Sequence, residues 1–101
     1  MAGFTTRVDL HGASEADYAR LRSEMVREGF STTITANDGT VYELPPAEYV
    51  YEYIQGEHVT HEAVRDKAAR AARRVKRSFA VLVSVSVSWA WCGLREILPA
   101  G

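Results

Sequence analysis

The sequence predicts an α+β domain in which two helices cover one face of a four-stranded antiparallel sheet, in the order strand, helix, strand, strand, helix, strand. Three observations carry this. Phe4 to Leu10 and Phe79 to Trp91 alternate at the period of a strand. Residues 14–28 and 60–75 instead repeat apolar side chains at spacings of three and four, as helices do. Asn37-Asp38-Gly39 is a turn signal between two extended stretches.

In the first strand Phe4, Thr6, Val8 and Leu10 share one face, and Thr5, Arg7, Asp9 and His11 the other. Gly12 lets the chain turn. Ser14 can cap a helix over 14–28, with Asp17 completing a capping box, Tyr18, Leu21 and Met25 forming the buried stripe, and Gly29 as left-handed C-cap. Phe30 to Ala36 is rich in β-branched residues and forms the second strand. The third breaks at Pro45-Pro46, which cannot donate ladder hydrogen bonds, and resumes from Glu48 to Tyr53 with Tyr49, Tyr51 and Tyr53 on one face. Gln55 to His58 is a polar connector. Thr60 caps a second helix reaching about Val75, with Val64, Ala68, Ala71, Ala72 and Val75 as its apolar stripe. Ser78 to Cys92 is expected as one long strand, with Phe79, Val81, Val83, Val85, Val87, Trp89 and Trp91 on one face, after which the chain frays.

That order is the split-βαβ, ferredoxin-like pattern, with strands one and three central and strands two and four at the edges. The 101 residues suit a single domain spanning 1–101, and 47% hydrophobic with 25% charged residues is an ordinary globular balance. The formal net charge is −1, so any affinity for nucleic acid must come from local segregation of charge. Cys92 is the one cysteine and reads as a small hydrophobe in a reducing cytoplasm. No leader of the secretory kind opens the chain, and the 13-residue apolar stretch from Phe79 to Trp91 is too short and serine-rich to cross about 30 Å of hydrocarbon. The expectation is a cytoplasmic chain with no membrane partner.

The outer face of strand one presents Arg7, Asp9 and His11 at steps of two, about 6–7 Å apart. A carboxylate, an imidazole and a guanidinium can act as base, acid and phosphate clamp in RNA cleavage, or form a solvated salt-bridge row. On helix two, Lys67, Arg70, Arg74 and Arg77 share a face at spacings of 3, 4 and 3, which suits RNA phosphates or simply the solvent side of a helix. His58 and His61 with Glu57 and Glu62 lack the H-E-x-x-H arrangement and a third ligand, so no metal and no cofactor are expected. Strand 78–92 is a long apolar edge that invites pairing with a second copy as a homodimer.

Arg20-Leu21-Arg22-Ser23, then Met25, Phe30-Ser31, Gly39 and Leu44, resemble the GhoS family of type V antitoxins over residues 4–64. The resemblance implies a ferredoxin-like endoribonuclease whose partner is RNA, the messenger of a small membrane toxin. It also implies an activity-linked arginine, which is Arg22 here. A shorter loop after strand one and a more apolar strand four depart from the family pattern. A non-catalytic RNA- or protein-binding module is the alternative reading.

Overall fold

In the computed structural model, residues 2–53 and 57–98 are described. The strand β1 (Ala2–Leu10) lies at the centre of a three-stranded sheet, flanked by β4 (Glu48–Tyr53) and β5 (Phe79–Ser86). Both neighbours run antiparallel to β1, so β4 and β5 are parallel to each other with β1 between them. The helix α2 (His61–Arg73) joins them, and α1 (Glu15–Arg27) packs beside α2. A second sheet holds β2 (Thr33–Thr35), β3 (Val41–Glu43) and β6 (Glu96–Ile97) in the order β2-β3-β6.

The core follows from the alternation in β1. Phe4, Val8 and Leu10 point at Leu21 and Met25 of α1 and at Val64, Ala68, Ala71 and Ala72 of α2, all buried. Removing side chains of this size from water stabilises the fold by about 1.5–3 kcal/mol for each of Val8, Leu21, Met25 and Val64. Three alanines on α2 leave room for it to lie close to the sheet and to α1. Tyr51, Tyr53, Phe79, Val81 and Val83 close the same core from the flanking strands.

Both helices begin and end where local chemistry directs. At α1 the Ser14 hydroxyl accepts from the Asp17 amide at 3.2 Å, and the Asp17 carboxylate accepts from the Ser14 amide at 3.1 Å. At its other end Gly29 takes φ 99°, and the amides of Gly29 and Phe30 donate to the carbonyls of Val26 and Met25. This Schellman closure also packs Phe30 into the core beside Met25. The Thr60 hydroxyl accepts from the Ala63 amide at 3.1 Å and caps α2.

The expected four-stranded sheet is corrected to three strands plus a second sheet. Of the expected second strand only Ser31 lies beside β4, exchanging two backbone hydrogen bonds with Val50 at 2.8 and 3.0 Å. The Ser31 hydroxyl then binds the amide and carbonyl of Thr33, and the chain turns away into β2. The expected third strand is two strands. Glu48 donates to the Pro45 carbonyl across a four-residue turn in which Ala47 has φ 69°, the left-handed value wanted after proline in a type II turn. That turn separates β3 from β4. The Asn37-Asp38-Gly39 signal does close a hairpin, between β2 and β3.

The long fourth strand is also corrected. The β5 ladder ends at Ser86, and Val85 and Val87 are exposed. Residues 87–91 cross to the face of the sheet opposite the helices. There the Trp89 indole N–H donates to Thr5 Oγ1 at 2.9 Å, and its ring packs over Gly3, where a Cβ would lie 3.1 Å from Trp89 Cη2. An indole N–H under cover needs an acceptor, and Thr5 supplies it. Trp89 therefore does not share the face of Phe79 and Val81. The connector expected at Gln55 to His58 and the frayed end expected after Cys92 fall partly outside the described residues, and within that end Glu96–Ile97 pairs with β3 as β6.

An ionic clasp ties the helices together. Arg70 Nη2 lies 3.1 Å from Glu28 Oε1, and Arg74 Nη1 lies 3.0 Å from Glu28 Oε2 and 3.3 Å from Glu24 Oε1. Arg70 and then Arg74 hold the Glu28 carboxyl below its ordinary value of 4.5. A carboxylate depressed in the folded state contributes fully above its unfolded value and loses that contribution as the pH falls through the folded one. Glu28→Gln should therefore lower unfolding stability by about 1 kcal/mol at pH 7, discounted for the half-exposed arginines. The difference from wild type should shrink as the pH drops below 4.5. Urea unfolding midpoints at the two pH values measure both effects.

Candidate functional site

Two groups of polar side chains draw on β1 and α1, one around Asp9 and His11 with Tyr18, the other around Arg22 one helical turn further along α1. The first lies at the end of β1. Strand alternation turns Asp9 and His11 outward, and both are exposed. His11 Nε2 lies 3.8 Å from Asp9 Oδ2, and His11 Nδ1 lies 2.7 Å from the Ser78 hydroxyl, just ahead of β5. The Tyr18 hydroxyl of α1 reaches Asp9 Oδ1 at 3.5 Å and also binds the amide and carbonyl of Leu10. The imidazole is thus braced on both nitrogens, and the carboxylate on both oxygens. Arg7, two residues back on the same face, pairs with Glu48 of β4 at 3.6 Å.

The second group surrounds Arg22 on α1. Arg22 Nη1 lies 3.4 Å from Glu43 Oε1, and Nη2 donates to Thr32 Oγ1 at 3.3 Å. Arg95 reaches the other oxygen of Glu43 from just before β6. Arg95, followed by Arg22, holds the Glu43 carboxyl below its ordinary 4.5. Beneath lies Tyr49, whose hydroxyl burial pushes up against the pull of the Arg22 charge. Among the described residues no hydrogen bond or ion pair joins Arg22 to Asp9 or His11. Two N–H groups of Arg22 are engaged, and a guanidinium has five.

The basic stripe on α2 divides. Arg70 and Arg74 are held by Glu24 and Glu28 in the clasp. Lys67 stands 5.8 Å from the centre of the Tyr51 ring. Arg77, expected on the same helical face, instead lies four residues past the end of α2; it is exposed and has no ion-pair partner among the described residues. His61 pairs with its neighbour Glu62 at 3.2 Å. Among the described residues no three His, Cys, Asp or Glu side chains gather as a metal-ligand set.

Sequence reasoning missed Glu43, Thr32, Arg95 and Ser78. Glu43 lies in a short strand of the second sheet and Thr32 in the bend just before another, both with little periodicity, and Arg95 falls in a stretch expected to fray. Ser78 was visible only as the start of a strand. Its pairing with His11 follows from the β1–β5 register, in which Leu10 faces Phe79.

Fold and surface together define a small α+β domain whose polar chemistry gathers around the end of β1 and the flank of α1. A family model described as endoribonuclease GhoS matches residues 1–87, and the chain belongs to that family. The match runs beyond the residues 4–64 that carry the resemblance, through α2 and β5, and stops where the chain leaves the β5 ladder. No curated protein and no solved structure matches the chain. No helix among the described residues is long and apolar enough to cross a membrane.

The Glu43 bridge is directly measurable. Carbon-13 NMR titration should find the Glu43 carboxyl below its ordinary 4.5, and Arg95→Ala should move it upward more than Arg22→Ala does.

Proposed function

We propose that this chain cleaves RNA at the Asp9–His11 pair and acts as an antitoxin by destroying the messenger RNA of a membrane toxin. The observation that carries this is family membership over residues 1–87, joined to an exposed carboxylate–imidazole pair braced by Ser78 and Tyr18. Asp9 takes the proton of the ribose 2′-hydroxyl. The 2′-oxygen attacks phosphorus, and the bond to the 5′-oxygen breaks as His11 imidazolium protonates that oxygen. The products are a 2′,3′-cyclic phosphate and a 5′-hydroxyl end. Arg22, the arginine that the family resemblance points to, supplies a guanidinium for the crowded phosphorane. Arg7 and Arg77 add positive charge for flanking phosphates, with Lys67, Arg70 and Arg74 contributing along α2. The substrate puts the chain in the cytoplasm, where messenger RNA is found.

Purified chain should cut single-stranded RNA and not DNA, in the presence of a chelator. Asp9→Asn and His11→Ala should each slow cleavage by about 10²–10⁴-fold, the usual contribution of a positioned acid or base, with far-ultraviolet circular dichroism unchanged. Arg22→Ala should also slow it while leaving the fold intact. Cleavage that survives all three changes removes this site. RNA bound but never cut selects the non-catalytic alternative.

We also propose that β5 mediates a homodimer. Its ladder is occupied only on the β1 side among the described residues, and Leu82, Val85 and Val87 expose apolar surface along it. Leu82→Lys should convert a dimer to a monomer in analytical ultracentrifugation. A wild-type monomer at 100-micromolar order of concentration, roughly where a useful interface is already populated, overturns it.

A further inference from the structure

A cleft of about 260 Å³ lies between the two sheets, on the side away from the helices. Thr5 of β1, Glu48 and Val50 of β4, Ile34 of β2, and Trp89 and Trp91 are among the residues that line it. Trp89 and Trp91 also line a neighbouring hollow of about 700 Å³ with Ile34, Thr35 and Asn37. The segment 87–91 is therefore an aromatic strap with open space on two sides. Trp91 is steadied by an edge-to-face contact with Tyr42 at 5.4 Å, and Trp89 by its bond to Thr5. Sites for drug-sized ligands run to about 300–1,000 Å³, so the smaller cleft suits one flat ring system rather than an extended molecule.

Charge identifies what that ring system belongs to. Arg7 stands beside the cleft through its pair with the lining residue Glu48, whereas Arg95 turns to Glu43. Thr5, Arg7 and Asp9 follow one another at steps of two on the outer face of β1, so the cleft and the pair assigned to cleavage share that face. Aromatic walls with a guanidinium beside them are what an unpaired base on a phosphate backbone requires.

We propose that this cleft takes an unpaired nucleobase of single-stranded RNA, packed against Trp91 and Trp89, with Arg7 on the adjoining phosphate. The proposal rests on the RNA-cleaving reading and extends it with a base-holding subsite. Residues 88–98 lie beyond the family match.

The chain's two tryptophans both line the cleft, so tryptophan emission reports on the strap that walls it. The probe is a single-stranded 2′-O-methyl oligoribonucleotide, which lacks the attacking hydroxyl. Its addition should change tryptophan emission saturably, and the same strand in a duplex should not, because its bases are already stacked. Trp91→Ala should weaken binding about ten- to hundred-fold, as stacking losses do, and Trp91→Phe should keep most of it. In cleavage assays Trp91→Ala should raise KM more than it lowers kcat. Unchanged emission at saturating RNA, or unchanged affinity and KM in Trp91→Ala, overturns the subsite while leaving the cleavage assignment standing. A wild-type chain that quenches on binding but never cuts keeps the subsite and sinks the cleavage reading instead.

Discussion

The structure depends on β1 being covered on both faces along part of its length. Phe4, Val8 and Leu10 are sealed by the helices, while Gly3 and Thr5 on the other face lie under Trp89. A central strand with hydrogen-bonded neighbours on both edges has every backbone group committed, so its position sets the register of β4 and β5. That register brings Ser78 to His11 and Glu48 to Arg7. Only toward its C-terminal end, at Arg7, Asp9 and His11, does β1 emerge into solvent.

The second constraint is the pair of prolines before β4. Pro45 and Pro46 have no N–H to give a ladder, and Ala47 takes a left-handed conformation that a non-glycine residue adopts at a cost of about 1 kcal/mol. The strand is broken there, so β3 leaves the plane of β4 and carries β2 with it. A single sheet would have left the face of β4 flat. The break instead buries Ile34 and Val50 in a small apolar patch of their own and leaves a cleft beside it.

Electrostatics then separates the two sides of the molecule. On the helical side, arginines meet glutamates from the other helix and hold α1 to α2, which uses much of the basic stripe for stability. Around β1 and β3 the same chemistry recurs at lower density, with Glu43 between Arg22 and Arg95 and with Asp9 beside His11. Among these outer groups Asp9, His11, Arg22 and Arg95 are exposed, and Arg22 keeps unused hydrogen-bonding capacity. For that reason the cleavage chemistry is assigned to them rather than to the clasp.

What was legible in the sequence was whatever local periodicity and capping decide. Both helices were bounded to within a residue or two because Ser14, Asp17, Gly29 and Thr60 satisfy backbone groups within a turn of themselves. The core face of β1 and the hairpin at Asn37-Asp38-Gly39 are local in the same sense. The outward grouping of Asp9 with His11 also followed from alternation alone. The tertiary structure decided the rest. Alternation continues through Val87, Trp89 and Trp91, yet the ladder stops at Ser86, which pairs with Gly3 near the start of β1, and Trp89 finds its acceptor on Thr5, 84 residues away in sequence. Likewise nothing near Glu43 in the chain announces Arg22 and Arg95, since their meeting depends on how the second sheet packs against α1. Contacts made within a few residues can be read from a pattern, and contacts made across the fold depend on which surfaces finally pack together.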